Sequence, residues 1–372
     1  MEESCQNKKI RVLQVTGTLG LGGAETMVMN LYRAIDTSKV EFDFLVNGSE
    51  KFYYEKEISS DRSHVYHICK RSDSFWKHHK DLYHIIKDNQ YKTVHFHTQN
   101  AFTTSLQILA ARLAGADNII VHCHNTMDWR NKKLIFLSKA FKPILCALAD
   151  YKLSCGEAAA KWLYGNSKKV EIIPLPVDCK KYRYQEETHR KLKEQMGLSD
   201  SVIYTHVGRF TEVKNQTFVL HIFREILSWN PNSVLFLIGD GGMRESVEKQ
   251  VEEMGIRDKV VFWGNISDVD QKLKMSDAFL LPSLYEGFPT VVLEAQAAGL
   301  PCYVSDTVTP KIALTDLVTF LDISHGPASW VEALKMQQPL SIAEKEAVND
   351  RIAEEYDIGV VVKRMEEIYR GR

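Results

Sequence analysis

Short apolar runs recur along the chain, each closed by a glycine, a proline or a polar turn, and they alternate with stretches whose apolar residues return at helical spacing. The first run is Ile10 to Thr16, followed by a glycine-rich turn and a helical stretch from Ala24 to Ile35. Strand-like runs follow at Phe42 to Val46, Thr93 to His97, Ile119 to His122, Tyr151 to Ser154 and Glu171 to Pro174. After Pro174-Leu175-Pro176-Val177-Asp178 the pattern restarts with Val202 to Val207, Val234 to Ile238, Lys259 to Phe262, Ala278 to Leu281, Cys302 to Ser305 and Val318 to Leu321. Runs that are apolar on both alternating faces belong to parallel strands covered by helices on each side. Two doubly wound α/β domains are expected, 1–178 and 179–355, with the very polar run Lys180 to Lys193 as the connection between them. In such sheets a ligand binds beyond the carboxyl ends of the strands, so the loops after these runs are where chemistry is to be sought. Two facing domains make the cleft between them the default site.

Composition adds exclusions. The 372 residues carry 47 Lys plus Arg and 48 Asp plus Glu, a net charge of −1, which gives no global basic field for binding nucleic acid. Residues 1–178 hold 24 basic and 19 acidic residues and the remainder 23 and 29, so the first half is mildly basic. The polar start, Met1 to Lys9, leads into an apolar run too short for a signal peptide, and no apolar stretch reaches the roughly 18 residues of a membrane span. A soluble cytoplasmic protein is expected. Seven cysteines, scattered and without a CxxC, indicate neither a disulfide framework nor a zinc site.

Three loops carry candidate chemistry. Gly17-Thr18-Leu19-Gly20-Leu21-Gly22-Gly23-Ala24-Glu25 follows the first strand and opens a helix, where glycines let backbone amides approach an anion. It departs from the dinucleotide fingerprint, and the second strand ends in Val46-Asn47-Gly48 with no acid for a ribose, so the loop reads as a phosphate cradle or as a bare tight turn. Gly208-Arg209-Phe210-Thr211-Glu212-Val213-Lys214-Asn215 sets a forked cation and a mobile one, Arg209 and Lys214, at a strand end, which suits a diphosphate. Ser283 to Ala295 contains Glu286 before a helix and Glu294 inside it, acceptors for sugar or ribose hydroxyls, with Gly287-Phe288-Pro289-Thr290 supplying amides at the helix start.

These three motifs, in this order and over essentially the whole chain from Ile10 onward, resemble the retaining glycosyltransferases of family 4, and among them the bacterial enzymes of exopolysaccharide or capsule assembly. The resemblance implies the GT-B fold: two Rossmann-like domains facing each other across a cleft, with 356–372 returning as a helix onto the first. It implies that Arg209 and Lys214 bind the donor diphosphate, that Glu294 binds the nucleotide ribose and that Glu286 contacts the donor sugar. The amides of Gly287, Phe288, Pro289 and Thr290 would hold sugar and phosphate, and Gly22 and Gly23 would approach the diphosphate from the other domain. The interdomain Pro-Leu-Pro-Val-Asp departs from the family's Pro-Asn-Gly-Val-Asp. The implied reaction moves a sugar from a nucleotide diphosphate sugar, uridine-linked, to a glycan or lipid-linked acceptor, with no cofactor.

Nine of the 13 histidines precede residue 125, including His95-Phe96-His97 and His122-Cys123-His124, whose i, i+2 spacing puts each pair on one strand face. Structural zinc sites favour closer loop spacing and cysteine, so no metal is expected. By resemblance His124 is the strand-end histidine that contacts the transferred sugar, with His97 a second cleft residue. The segment 129–148 mixes Arg130, Lys132, Lys133, Lys139 and Lys142 with bulky apolar residues. It either rests on an anionic membrane surface, giving peripheral contact at the inner face, or packs as an ordinary helix. Two other functions stay open: a uridine diphosphate sugar epimerase of the same fold, and a catalytically silent nucleotide-sugar binder.

Overall fold

A computed structural model describes residues 9–20, 22–59, 63–124, 132–165, 170–286, 288–336, 338 and 340–372. The chain divides into two compact units, Met1–Pro176 with Ile358–Arg372, and Val177–Asp357. Unit 1 runs β1 (Ile10–Val15), α1 (Gly23–Ala34), β2 (Val40–Asn47), α2 (Glu55–Ser59), β3 (Val65–Ile68), α3 (Phe75–Asp88) and β4 (Thr93–Thr98). It continues with α4 (Ala101–Leu113), β5 (Asn118–Cys123), α5 (Lys132–Leu148), β6 (Tyr151–Ser154), α6 (Glu157–Tyr164) and β7 (Glu171–Ile172). Unit 2 opens with α7 (Cys179–Tyr182), α8 (Glu186–Gln195), β8 (Val202–Val207), α9 (Gln216–Trp229), β9 (Ser233–Ile238), α10 (Arg244–Glu253) and β10 (Val260–Gly264). Then come α11 (Val269–Lys274), β11 (Ala278–Leu281), α12 (Thr290–Ala297), β12 (Cys302–Ser305), β13 (Val318–Leu321), α13 (Gly326–Met336) and α14 (Ile342–Tyr356), before α15 (Ile358–Tyr369) returns to unit 1.

Both sheets are parallel. Unit 1 has the order β3-β2-β1-β4-β5-β6-β7 and unit 2 the order β10-β9-β8-β11-β12-β13. In each, the chain winds outward in one direction for three strands and then restarts on the other side of the first. The order therefore reverses between β1 and β4 and again between β8 and β11, and at such switch points the loops diverge and leave a crevice beyond the strand ends. The central strands are buried on both faces, β9 along its whole length, which is why they read as continuous apolar runs. In unit 1 one core lies under α3 to α6, and a second holds Val361, Val362, Met365, Ile368 and Tyr369 of α15 against Phe42 and Phe44 of β2.

The structure departs from the pattern-based reading at three places. The strand β3 was not expected, because at the sheet edge Val65 and Tyr66 are only partly buried, His67 is exposed, and the run shows no apolar alternation. The polar run 180–193 is not a connection but α7 and α8, held to unit 2 by tertiary contacts. Tyr182 and Tyr184 are buried, His189 Nδ1 bonds the Lys274 carbonyl at 2.8 Å, and buried Lys193 pairs with Asp277 at 3.0 Å. The units join at Pro176/Val177 and Asp357/Ile358, two residues from the expected 178/179 and 355/356. Val177 N–H donates to the Tyr356 carbonyl at 2.8 Å, and Val177 bridges Asp357, so the two joining segments run side by side.

Candidate active site

The crevice of unit 2 is formed by the loops after β8 and β11, the two that carry the charged motifs. The β8 loop lies flat against the end of β9 because Gly239 and Gly241 have positive φ (124° and 159°) and a Cβ on either would strike the backbone of Gly208 or Phe210. Phe210 N–H donates to the Asp240 carbonyl at 3.0 Å and its own buried ring anchors the loop. Glu212–Lys214 then form one 3-10 turn, and Asn215 takes the left-handed conformation (φ 55°) that lets α9 start at Gln216. Asparagine tolerates that conformation better than most residues. Its side-chain amide donates to the Pro282 carbonyl at 3.1 Å and the Leu284 N–H to the Val213 carbonyl at 2.8 Å, stitching the two loops together.

That stitching brings Lys214 onto Glu286. The ammonium lies 2.5 Å from the carboxylate, both side chains are largely buried, and Ser283 Oγ donates to the same oxygen at 2.8 Å. Arg209, at the β8 end of the loop, is exposed and makes no ion pair among the described residues. Among the described residues the crevice thus sets an unpaired cation beside one that is already neutralised.

Gly287 lies outside the described residues. Phe288 stacks at 8° on Tyr356 of α14, Pro289 is the residue before the first turn of α12, and Thr290 opens that helix. Pro289 suits a position whose N–H has no helical partner. Glu294, one turn into α12, receives a hydrogen bond from the Tyr182 hydroxyl of α7. Burial pushes its carboxyl up to about 7, opposed by Tyr182 and by the nearby Lys181 charge. Lys181 is itself held by Asp270 at 3.2 Å.

In unit 1, Gly22 precedes and Gly23 begins α1, at the β1 side of the β1/β4 switch point. Glu25 folds back over this helix start, accepting from Thr18 Oγ1 at 2.6 Å, and a Cβ on Gly22 would collide with its carboxylate. An anion reaching these amides has to displace Glu25. His124 follows β5 directly and His97 ends β4, with His124 Nε2 2.8 Å from His97 Nδ1. Burial holds His95, His97 and His122 well below the usual histidine range and takes His124 down to about 4.

The ring nitrogens of His95, His97 and His122 lie within 4.8 Å of one another, close enough to raise the question of a metal. The rings are stacked, at 12° for His95/His122, 28° for His97/His122 and 38° for His95/His97. Imidazole lone pairs lie in the ring plane, so near-parallel rings do not converge on one ion, and both nitrogens of His97 are already hydrogen-bonded. Residues 129–131 lie outside the described residues, and α5 covers the rest of the basic segment with Phe136 and Ile144 exposed. No helix among the described residues is long and apolar enough to cross a membrane.

Residues that sequence reasoning did not single out are those that hold the others: Ser283 on Glu286, Asn215 between the two loops, Tyr182 on Glu294 and Gln14 on His97. Asn215 had a signal in its place directly after Lys214, at the junction of a loop and a helix. The other three had none.

Residues 21–181 match the family described as Glycosyltransferase Family 4, and residues 188–335 that described as Glycosyl transferases group 1. EpsF of Bacillus subtilis (strain 168), named as a glycosyltransferase, is 33% identical over 357 residues, covering 92% of each chain. The Escherichia coli UDP-Gal:alpha-D-GlcNAc-diphosphoundecaprenol alpha-1,3-galactosyltransferase is 32% identical over 235 residues, 60% of each chain. The structure of Anabaena Alr3699/HepE, solved in complex with UDP and glucose, superposes with a TM-score of 0.75 at 15% identity, over 98% of this chain and 100% of that one. Matches to both halves, a relative of this identity along nearly the whole length, and two parallel Rossmann-like sheets together make the chain a glycosyltransferase of family 4 with the GT-B fold.

Proposed function

We propose that the protein transfers a sugar, with retention at the anomeric carbon, from a uridine diphosphate sugar to a hydroxyl of a glycan or lipid-linked oligosaccharide in the assembly of a cell-surface polysaccharide. The observation that carries this is the β8/β11 crevice, where exposed Arg209 and the Lys214–Glu286 pair meet at a topological switch point. Arg209 and Lys214 take the diphosphate, Glu294 accepts from the ribose, Glu286 from the sugar once Lys214 has turned to phosphate, and the amides of 287–290 complete the cradle. Unit 1 takes the acceptor, and its His124 is assigned to the transferred sugar. The activity named for the E. coli relative, which takes UDP-Gal to an alpha-D-GlcNAc-diphosphoundecaprenol acceptor, and the UDP and glucose bound to HepE support this choice of donor and acceptor.

In the step itself the bond from the anomeric carbon to the diphosphate oxygen breaks and the acceptor oxygen bonds to the same face. The acceptor proton passes to the departing phosphate oxygen, so no base triad and no metal is required. Arg209 and Lys214 stabilise the charge that develops on the leaving group, the main electrostatic contribution. The Lys132, Lys133, Lys139 and Phe136 face of α5 rests on an anionic bilayer that carries the acceptor. The decisive experiment incubates the full chain with UDP-glucose, UDP-galactose or UDP-N-acetylglucosamine and a polyprenyl-diphosphate-linked acceptor, and reads the product linkage by NMR. A retained anomeric configuration is expected. An inverted linkage, or a C2 epimer formed from donor alone, overturns the reading.

A further inference from the structure

We propose that Gln14, His97 and Tyr369 are positioning residues of the transfer site: a buried hydrogen-bond chain running from the C-terminal helix holds His124 as a neutral imidazole that presents a bare Nδ1 lone pair to a hydroxyl of the transferred sugar. The proposal rests on the reading of His124 as the sugar-facing histidine and adds to it the state in which that histidine works and the residues that set it.

The chain crosses four elements of unit 1. Gln14 of β1 donates from Nε2 to the Tyr369 hydroxyl of α15 at 3.1 Å, and its Oε1 lies 2.8 Å from His97 Nε2 on β4. His97 Nδ1 lies 2.8 Å from His124 Nε2 at the end of β5, and the Tyr369 hydroxyl lies 3.0 Å from His95 Nδ1. Gln14, His95 and Tyr369 are buried at 1%, 0% and 2% exposure.

With the Gln14 amide oriented as it is, Nε2 toward Tyr369 and Oε1 toward His97, donor and acceptor rules leave one assignment for this arrangement. A carbonyl oxygen only accepts, so His97 carries its proton on Nε2 and its Nδ1 is a lone pair. That lone pair can bond His124 only if His124 donates from Nε2, which leaves His124 Nδ1 without a proton. At the other end the Tyr369 oxygen, already accepting from Gln14, gives its single hydrogen to His95 Nδ1. Every internal atom of the chain is satisfied, and the open ends are His95 Nε2 and His124 Nδ1, neither of which has a partner among the described residues. Burial, which takes His124 down to about 4, keeps the chain uncharged at neutral pH. A buried acceptor left empty is costly, and a substrate hydroxyl that fills it regains that cost on binding.

A specificity follows. A neutral lone pair accepts from a sugar hydroxyl and faces an anionic oxygen unfavourably, so the site selects a neutral hexose or hexosamine over a hexuronate at this contact. An imidazolium at the same place would select the reverse.

The test uses the full chain labelled with 15N-histidine. Long-range proton–nitrogen spectra near neutral pH should show His97 and His124 protonated at Nε2 alone. Tyr369→Phe keeps the ring against Phe42 but frees the Gln14 amide to turn, so the His124 signal should become a mixture of tautomers. Its kcat should fall about fivefold, the scale of one hydrogen bond between neutral groups, with donor KM within about twofold. Tyr164→Phe removes a buried hydroxyl bonded only to the Val121 and Leu153 carbonyls; it should leave both the spectrum and kcat unchanged, which separates positioning from general loosening. His124 protonated at Nδ1 or doubly protonated in the wild type, or a Tyr369→Phe variant with wild-type spectrum and kcat, overturns the chain while leaving the transferase reading intact. A His124→Ala variant with wild-type turnover overturns instead the reading on which the chain depends.

Discussion

At Lys214 the protein holds a cation in reserve. Its ammonium is committed to Glu286, whose carboxylate also accepts from Ser283, so under the proposed function a donor diphosphate has to draw it from one ionic partner to another. Removing the internal competitor should help binding and harm chemistry. Glu286→Gln is expected to tighten UDP several-fold by calorimetric titration while lowering kcat about 100-fold, and Lys214→Ala to lower kcat about 100- to 1000-fold with little change in melting temperature. Glu294 makes a prediction in pH. Its folded carboxyl titrates at about 7, above the ordinary value, so the folded state holds a proton that the unfolded state has already released. Stability from this group is fully present below about pH 4.5 and is lost as pH rises from there to about 7, by on the order of 3 kcal/mol. UDP affinity moves the other way, because the ribose hydroxyls are better accepted by carboxylate than by carboxylic acid. Urea unfolding and UDP titration from about pH 6 to about pH 8 should show the opposing slopes, and Glu294→Gln should flatten both. The loop placement of Arg209, Lys214, Glu286 and Glu294 could be read from the sequence, whereas the side chains they touch could not. Tyr182 reaches Glu294 from another helix, and nothing local in the sequence pairs them.

Elements were legible in proportion to how completely they are buried. Val202–Val207 and Cys302–Ser305 stand out because both faces of a central parallel strand are apolar. The edge strand β3 and the polar helix α8 did not, since β3 is half solvated and the docking of α8 depends on Lys193 and His189, residue types that periodicity counts as surface. The helix α5 shows the opposite mismatch. Only Ser138 and Leu145 are buried along it, while Phe136 is 71% exposed beside Lys132, Lys133 and Lys139. If this face meets an anionic bilayer, reversing the three lysines to glutamate should abolish cosedimentation with phosphatidylglycerol vesicles and leave turnover on a soluble acceptor unchanged. Equal sedimentation of both proteins would count against the contact.

Unit 1 is closed by α15, the segment after unit 2. Val361, Val362, Met365, Ile368 and Tyr369 are buried in the second core of unit 1, each worth about 1.5–3 kcal/mol, together comparable with the net stability of an entire domain. Deleting 358–372 should therefore eliminate the unfolding transition of unit 1 in calorimetry and expose it to protease, while Val177–Asp357 keeps its own transition. That helix lies far in sequence from the strands it covers, so composition near residue 10 contained no sign of it.

The same feature bears on how the protein is made. Synthesis ordinarily lets the first domain of a chain fold while the second is still emerging. Here the ribosome must finish all of unit 2 and then α15 before unit 1 has its last wall, so the contiguous unit 2 is free to fold first and the earliest-made residues wait longest. Tyr369 also closes the Gln14–His97–His124 chain. A nascent chain stalled before α15 thus has unit 2 complete but lacks the residue that closes the histidine chain, so under the proposed function transfer waits for that helix.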